Sequence, residues 1–191
     1  METKLEIAKN WLPRYTGMPL EQFGEYILIT NFKDYVSKFA ERFSSEIYGE
    51  GKAMQASTNK DGLTIINYGI GSPNAATIMD LLVAVSPKGV LFLGKCGGLK
   101  DSSEIGNFIL PIGAIRGDGT SNDYFPPEVP ALPSFKLHKF VSDVPLPPEG
   151  VKTETSDKAV TQKWVDLHLE IGIKAMTDIG QSGEEIKHFK Y

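Results

Sequence analysis

Two apolar strands that each run straight into a glycine-rich turn, with one helix between them, constrain this chain most. The first reads Leu63-Thr64-Ile65-Ile66-Asn67-Tyr68 and enters Gly69-Ile70-Gly71-Ser72-Pro73-Asn74. An apolar helix follows. The second strand reads Gly89-Val90-Leu91-Phe92-Leu93 and enters Gly94-Lys95-Cys96-Gly97-Gly98. This is a strand–turn–helix–strand–turn unit, and both turns are expected at one edge of a parallel sheet. Open α/β sheets bind ligands at that edge. The pattern therefore predicts a small-molecule site.

Bulk properties narrow the class. A chain of 191 residues is long enough for one domain with a sizeable core, and 1–191 is read as one domain. A net charge of −4 supplies no basic excess to neutralise phosphates, which argues against nucleic acid. No apolar run reaches the ~20 residues that span a bilayer. The first residues lack a signal-peptide core. With one cysteine, Cys96, no intrachain disulfide can form, and the reading is cytoplasmic. His138, His168 and His188 are scattered, give no metal cluster, and read as solvated helix residues.

Periodicity places further elements. Residues 1–12 form an amphipathic helix stopped by Pro13. Tyr26–Thr30 is a strand, and Asn31 caps a helix over about Phe32–Ser45, with Val36, Phe39, Ala40 and Phe43 on one face. Lys52–Ser57 pairs with Leu63–Asn67 across a turn at Asn59–Gly62. Ser72 is the cap and Pro73 the first residue of the helix that follows. From Ala75 to Val85 that helix is apolar nearly all round, which predicts burial by the sheet and by a partner subunit. Pro87 and Gly89 end it. Asn107–Ile115 is a strand, with Pro111 marking an edge or bulge. Gly117–Pro133 is a long loop. Pro133–Val141 is helical, and Val141–Val144 is the end of a strand. The last helix starts at Ser156 or Asp157, buries Val160, Trp164, Leu167 and Ile171, and closes at Gly180.

The chemistry follows from these positions. Gly69, Ile70 and Gly71 precede a helix N-terminus, whose free N–H groups attract anions or polar oxygens; tight strand-to-helix packing is the alternative reason for the glycines. The second turn adds the cation of Lys95. Cys96 has no histidine in a supporting motif, so it is not read as a nucleophile. Asp143 is the candidate acid: at the end of a strand, partial burial would let it hold a proton near neutral pH. A loop-capping aspartate is the alternative.

In order, the Gly-Xaa-Gly turn, the Gly-Xaa-Cys-Gly-Gly turn and Val141-Ser142-Asp143 resemble landmarks of the purine nucleoside phosphorylase and nucleosidase superfamily. Arg14-Tyr15-Thr16-Gly17-Met18-Pro19, the run Tyr68–Pro126 and Asp143–Tyr191 resemble its AMP nucleosidase branch. The resemblance implies a three-layer α/β/α fold with a central mixed, largely parallel sheet. It implies hydrolysis of AMP to adenine and ribose 5-phosphate, with Asp143 protonating N7 of the base. It places Cys96 and Gly97 along the base and Gly69, Ile70 and Gly71 beside the sugar. The family's phosphorylases bind phosphate through a Gly-Asp-Pro-type turn, and here that position reads Thr30-Asn31-Phe32-Lys33. Where they place an arginine and a serine, this chain has Phe92 and Lys95. Both departures suit water as the nucleophile. Lys33, Lys95, Arg116, Thr120 and Ser121 are candidates for the 5′-phosphate, from charge and loop position. No metal or organic cofactor is implied, and a homohexamer is. The family's domain carries a long segment between Ser142 and Asp143, with a glutamate that holds the ribose hydroxyls; this sequence lacks it. Phosphate-dependent phosphorolysis and nucleotide binding without catalysis are the alternative functions.

Overall fold

A computed structural model of the chain describes residues 2–104, 106–145 and 158–182, with side chains in the last helix from Val165 onward. Four strands form one mixed sheet in the order β2-β3-β1-β4: β1 Tyr26–Thr30, β2 Gln55–Thr58, β3 Leu63–Asn67 and β4 Gly89–Leu93. β1 pairs in parallel with β3 and with β4, and β2 pairs antiparallel with β3 across the predicted turn. Alternate residues face opposite sides. Leu28, Leu63, Ile65 and Leu93 pack under α2 (Lys33–Phe43) and α5 (Lys158–Ser182). Ile27, Ile29, Ala56 and Ile66 pack under α1 (Lys4–Thr16) and α3 (Ser72–Leu81). Helices on both faces make the three-layer α/β/α architecture that the resemblance implies, and explain why β3 is buried at every position.

Several local expectations are corrected. α1 runs through Pro13 to Thr16, because its buried stripe of Ala8, Leu12 and Thr16 continues past the proline; Gly17, at φ 71°, ends it. Thr3 and Glu6 cap it reciprocally. Phe32, not Asn31, is the N-cap of α2. Gly71, not Ser72, caps α3: its φ of 102° suits only glycine, and Ser72 and Pro73 open the helix. α3 gives way at Leu81 to a 3₁₀ turn, Leu82–Ala84, before Pro87. Its apolar girth is only partly covered: Ile78 and Leu81 are buried, whereas Met79 and Val83 face solvent.

Asn107–Ile115 is not a strand. Among the described residues its only ladder contact is a bridge between Ala114 and Ala131, and a strand without a partner has nothing to bond to. The loop after it holds a short 3₁₀ helix, Thr120–Asp123. Val141–Val144 does not end a strand either. Val141 and Ser142 close α4 (Phe135–Ser142), and Asp143 is its C-cap. Leu137, Val141 and Val144 sit at helical spacing, and all three pack into the core. α5 continues past Gly180, which lets Tyr26 approach; a Cβ there would meet the ring at 3.1 Å. Its main buried row is Val165, Leu169, Ile173, Met176 and Ile179, while Leu167 and Ile171 pack toward Val144. The side chains of Val160 and Trp164, and His188, lie outside the described residues. No described helix is long and apolar enough to cross a membrane.

Candidate functional site

The register of the sheet assembles the site. Thr30 pairs with Asn67 on one side and with Leu93 on the other, so β1, β3 and β4 end in a single row. Three turns therefore leave the same edge: Asn31-Phe32-Lys33, Tyr68 through Ser72, and Gly94 through Gly98. The turns are tied together. Tyr68 N–H donates to Thr30 O (3.0 Å), and Gly69 N–H donates to Asn67 Oδ1 (3.1 Å). Lys95 Nζ stands 4.4 Å from the centre of the Phe32 ring and 6.0 Å from that of Tyr35, so the cation of one turn lies over the aromatic face of another. Gly69 and Gly71 adopt φ of 82° and 102°, closed to most side chains. Beyond them the first turn of α3 presents backbone N–H groups at its positive end.

A cleft of about 840 Å³ starts at Gly94, Lys95 and Cys96 and runs along β4. Phe108–Pro111, α4 and α5 form its other walls. The lining is mainly apolar, with His138 and His168 among its few polar groups. Neither histidine is a plain solvated residue, which corrects the sequence reading. His138 Nε2 is buried and makes no hydrogen bond. His168 Nδ1 lies 2.8 Å from the Tyr35 hydroxyl, and the two rings meet edge to face at 5.6 Å. Burial, and then the charge of Lys95, pull the His168 pKa down to about 4. Burial pushes the Tyr35 phenol well above its ordinary value. Both groups are uncharged at neutral pH. The pair was recoverable in principle: His168 lies three residues from both Val165 and Ile171 on an apolar helix, the spacing of a buried face.

The predicted site residues divide into two sets. Gly69, Ile70, Gly71, Cys96, Gly97, Lys33 and Lys95 share the sheet edge, and all except half-buried Gly69 are exposed. Arg116, Thr120 and Ser121 lie on a loop anchored elsewhere. Tyr124 donates from its hydroxyl to Asp80 Oδ2 (2.8 Å), near the C-terminal end of α3, about 12 Å along the axis from Ser72. The Arg116 guanidinium donates to the carbonyls of Val129 (2.7 Å), Ser121 (2.7 Å), Phe125 (3.1 Å) and Pro126. Its donors hold its own loop rather than facing the turns. Asp143 is exposed at the C-terminus of α4, which corrects the expected partial burial. Its neighbours Ser142 and Val144 line the cleft; Asp143 itself does not. No group of three or more His, Cys, Asp or Glu suited to a metal occurs among the described residues.

Comparison with known proteins bears on the same residues. Residues 25–183 match the phosphorylase superfamily. The chain is 30% identical over 167 residues to an AMP nucleosidase of Escherichia coli K12, covering 69% of this chain and 34% of that protein. A guanosine phosphorylase of Halorubrum lacusprofundi is 37% identical over 86 residues, 45% of this chain and 36% of that protein. The crystal structure of an AMP nucleosidase from Bacteroides thetaiotaomicron superposes with a TM-score of 0.69 at 55% identity, over 74% of this chain and 59% of that one. The chain thus spans about a third of the length of the Escherichia coli relative. The superfamily match takes in every strand of the sheet and both glycine turns, so this chain belongs to the phosphorylase superfamily, within which it is AMP nucleosidase-like.

Proposed function

We propose that this chain binds AMP at the shared strand edge and hydrolyses its N-glycosidic bond to adenine and ribose 5-phosphate. One observation carries the reading: Thr30, Asn67 and Leu93 lie in register, which delivers both glycine turns and two lysines to one edge. The N–H groups ahead of α3 suit the sugar and phosphate oxygens. Cys96 and Gly97 offer a side-chain-poor surface for a flat base. Lys33 and Lys95 are the first candidates for the 5′-phosphate, ahead of Thr120, Ser121 and Arg116.

In this reading the bond from N9 to C1′ breaks as the sugar takes on oxocarbenium character, as in O-glycoside hydrolysis. Water adds to C1′. Asp143 gives a proton to N7, the base leaves neutral, and the proton released by water restores the acid. The enzyme works without metal or organic cofactor, as a homo-oligomer in the cytoplasm. The family's segment between Ser142 and Asp143 is either deleted from the molecule or only missing from this sequence; an intact mass of the expressed protein decides between the two, and a true deletion is expected to remove most catalysis, because the glutamate that holds the ribose hydroxyls goes with it.

A second reading, nucleotide binding without turnover, is favoured by the solvent position of Asp143. Incubating the full chain with AMP, with and without inorganic phosphate, separates the readings. Adenine and ribose 5-phosphate without added phosphate support hydrolysis. A strict phosphate requirement indicates phosphorolysis instead. Saturable AMP binding with no adenine released supports the second reading.

A further inference from the structure

We propose that Phe32 is a positioning residue: its ring holds the Lys95 ammonium at the sheet edge, where that ammonium takes the 5′-phosphate. The inference rests on the reading of this edge as the AMP site, and adds to it a residue that acts through Lys95. The sheet brings the two together. Thr30 and Leu93 are register partners on neighbouring parallel strands, and Phe32 and Lys95 each lie two residues further on. Strands that leave a sheet in step put such positions side by side. Lys95 Nζ then stands 4.4 Å from the centre of the Phe32 ring. That lies inside the ~6 Å at which a ring face attracts a cation.

The two partners differ in how firmly they are held. Phe32 is half-buried and packs against the core beneath α2 and α5. Its N–H donates to Thr30 Oγ1 (3.3 Å), and its ring centre lies 6.2 Å from that of Tyr35. Tyr35 is itself fully buried and bonded to His168 on α5. The Phe32 ring is therefore part of the packed layer. Lys95 is exposed, on a turn shared with Gly94, Gly97 and Gly98, and its charge rides on a flexible four-carbon stem. Ordering such a stem costs side-chain entropy. A fixed ring that orders it before a ligand arrives removes that cost from binding.

The chemistry of the ring points to an anion. A carboxylate partner would hold Lys95 but cancel its charge and repel a phosphate. A ring face attracts the ammonium through its quadrupole and brings no net charge. The positive charge stays in place for a phosphate, which a lysine meets as a point charge.

NMR titration of the full chain with ribose 5-phosphate tests this, with ribose as the control that lacks phosphate. The Lys95 ε-methylene protons are expected upfield in the wild type, from the ring current, and at ordinary positions in Phe32→Leu. Phe32→Leu is expected to weaken ribose 5-phosphate about two- to five-fold and to leave ribose unchanged, and Phe32→Tyr to restore the affinity. A ring-trifluorinated phenylalanine at position 32 keeps the packing but depletes the negative face. It is expected to weaken ribose 5-phosphate too, so the result does not depend on how well Phe32→Leu folds. In Lys95→Met, Phe32→Leu costs nothing further. The proposal is overturned by ribose 5-phosphate that binds no better than ribose, or by an affinity that neither ring change alters. Lys95 protons without the ring-current shift overturn it, as does a Phe32→Leu loss that persists in Lys95→Met. AMP hydrolysis is read separately, as adenine released. Hydrolysis alongside any of those results overturns the role of Phe32 alone, and the expected binding without hydrolysis overturns the reaction alone.

Discussion

The hydroxyl of Tyr35 and Nδ1 of His168 lie 2.8 Å apart and fasten α2 to α5 at the end of the cleft. The two residues stand 133 positions apart in the chain, so the bond forms only once both helices have packed on the same face of the sheet. The contact joins two groups that burial keeps neutral, and neutrality makes it sensitive to acid.

His168 titrates near 4 in the folded chain and near 6.5 when unfolded. As pH falls through that window the unfolded chain takes up the proton first. Its contribution is therefore complete above about pH 6.5 and is lost toward pH 4, at up to about 1.4 kcal/mol per pH unit. His168→Phe is expected to flatten the fall in stability over this range, read as urea midpoints at several pH values. An unchanged slope would assign the acid sensitivity to other groups.

Gly49 and Gly51 share a left-handed backbone, with φ of 81° and 75°, but differ in surroundings. A Cβ on Gly49 would come within 2.3 Å of the carbonyl oxygens of both Met54 and Thr16, whereas one on Gly51 meets nothing within 4 Å. Alanine at either position carries the left-handed cost of about 1–2 kcal/mol. Gly49→Ala adds overpacking against fixed backbone, about 1–3 kcal/mol more. Denaturant unfolding of both variants checks the difference; equal losses would mean that the loop shifts freely.

Arg116 fastens its loop through carbonyls at Val129, Ser121, Phe125 and Pro126. Arg116→Met removes those donors. Chymotryptic cleavage after Tyr124 is then expected to rise several-fold, while the core, built without this loop, keeps its melting temperature. Cleavage at the wild-type rate would show that the clamp is dispensable.

Asp143→Asn bears on the proposed acid. Its side chain is exposed, so folding is expected to be unaffected. Adenine release from AMP should fall by ~10²-fold or more if this carboxyl protonates the base. Release within a few-fold of wild type removes Asp143 from the mechanism.

Local pattern was enough for β1, β3, β4, α2 and the two glycine turns, because each is written in short-range chemistry. A run such as Tyr26-Ile27-Leu28-Ile29-Thr30 has one stable use, as a strand buried on both faces, and a glycine pair at φ near 80–100° has few substitutes. The parallel sheet followed from the alternation of those elements, and the three-layer class from the family resemblance. The meeting of both glycine turns at one edge followed too, since parallel strands joined by a helix end on the same side.

Contacts between distant residues decided the rest. Asn107–Ile115 has strand chemistry and forms no strand, because ladder bonds come from a neighbour that local sequence does not supply. Val141–Val144 reads as a strand end until its apolar side chains find α5 and the sheet, and Asp143 is carried with them into solvent. The pairing of His168 with Tyr35, and the capture of Arg116 by its own loop, likewise exist only after folding. Intrinsic preference acts within a few residues, whereas partners are assigned by how the layers close.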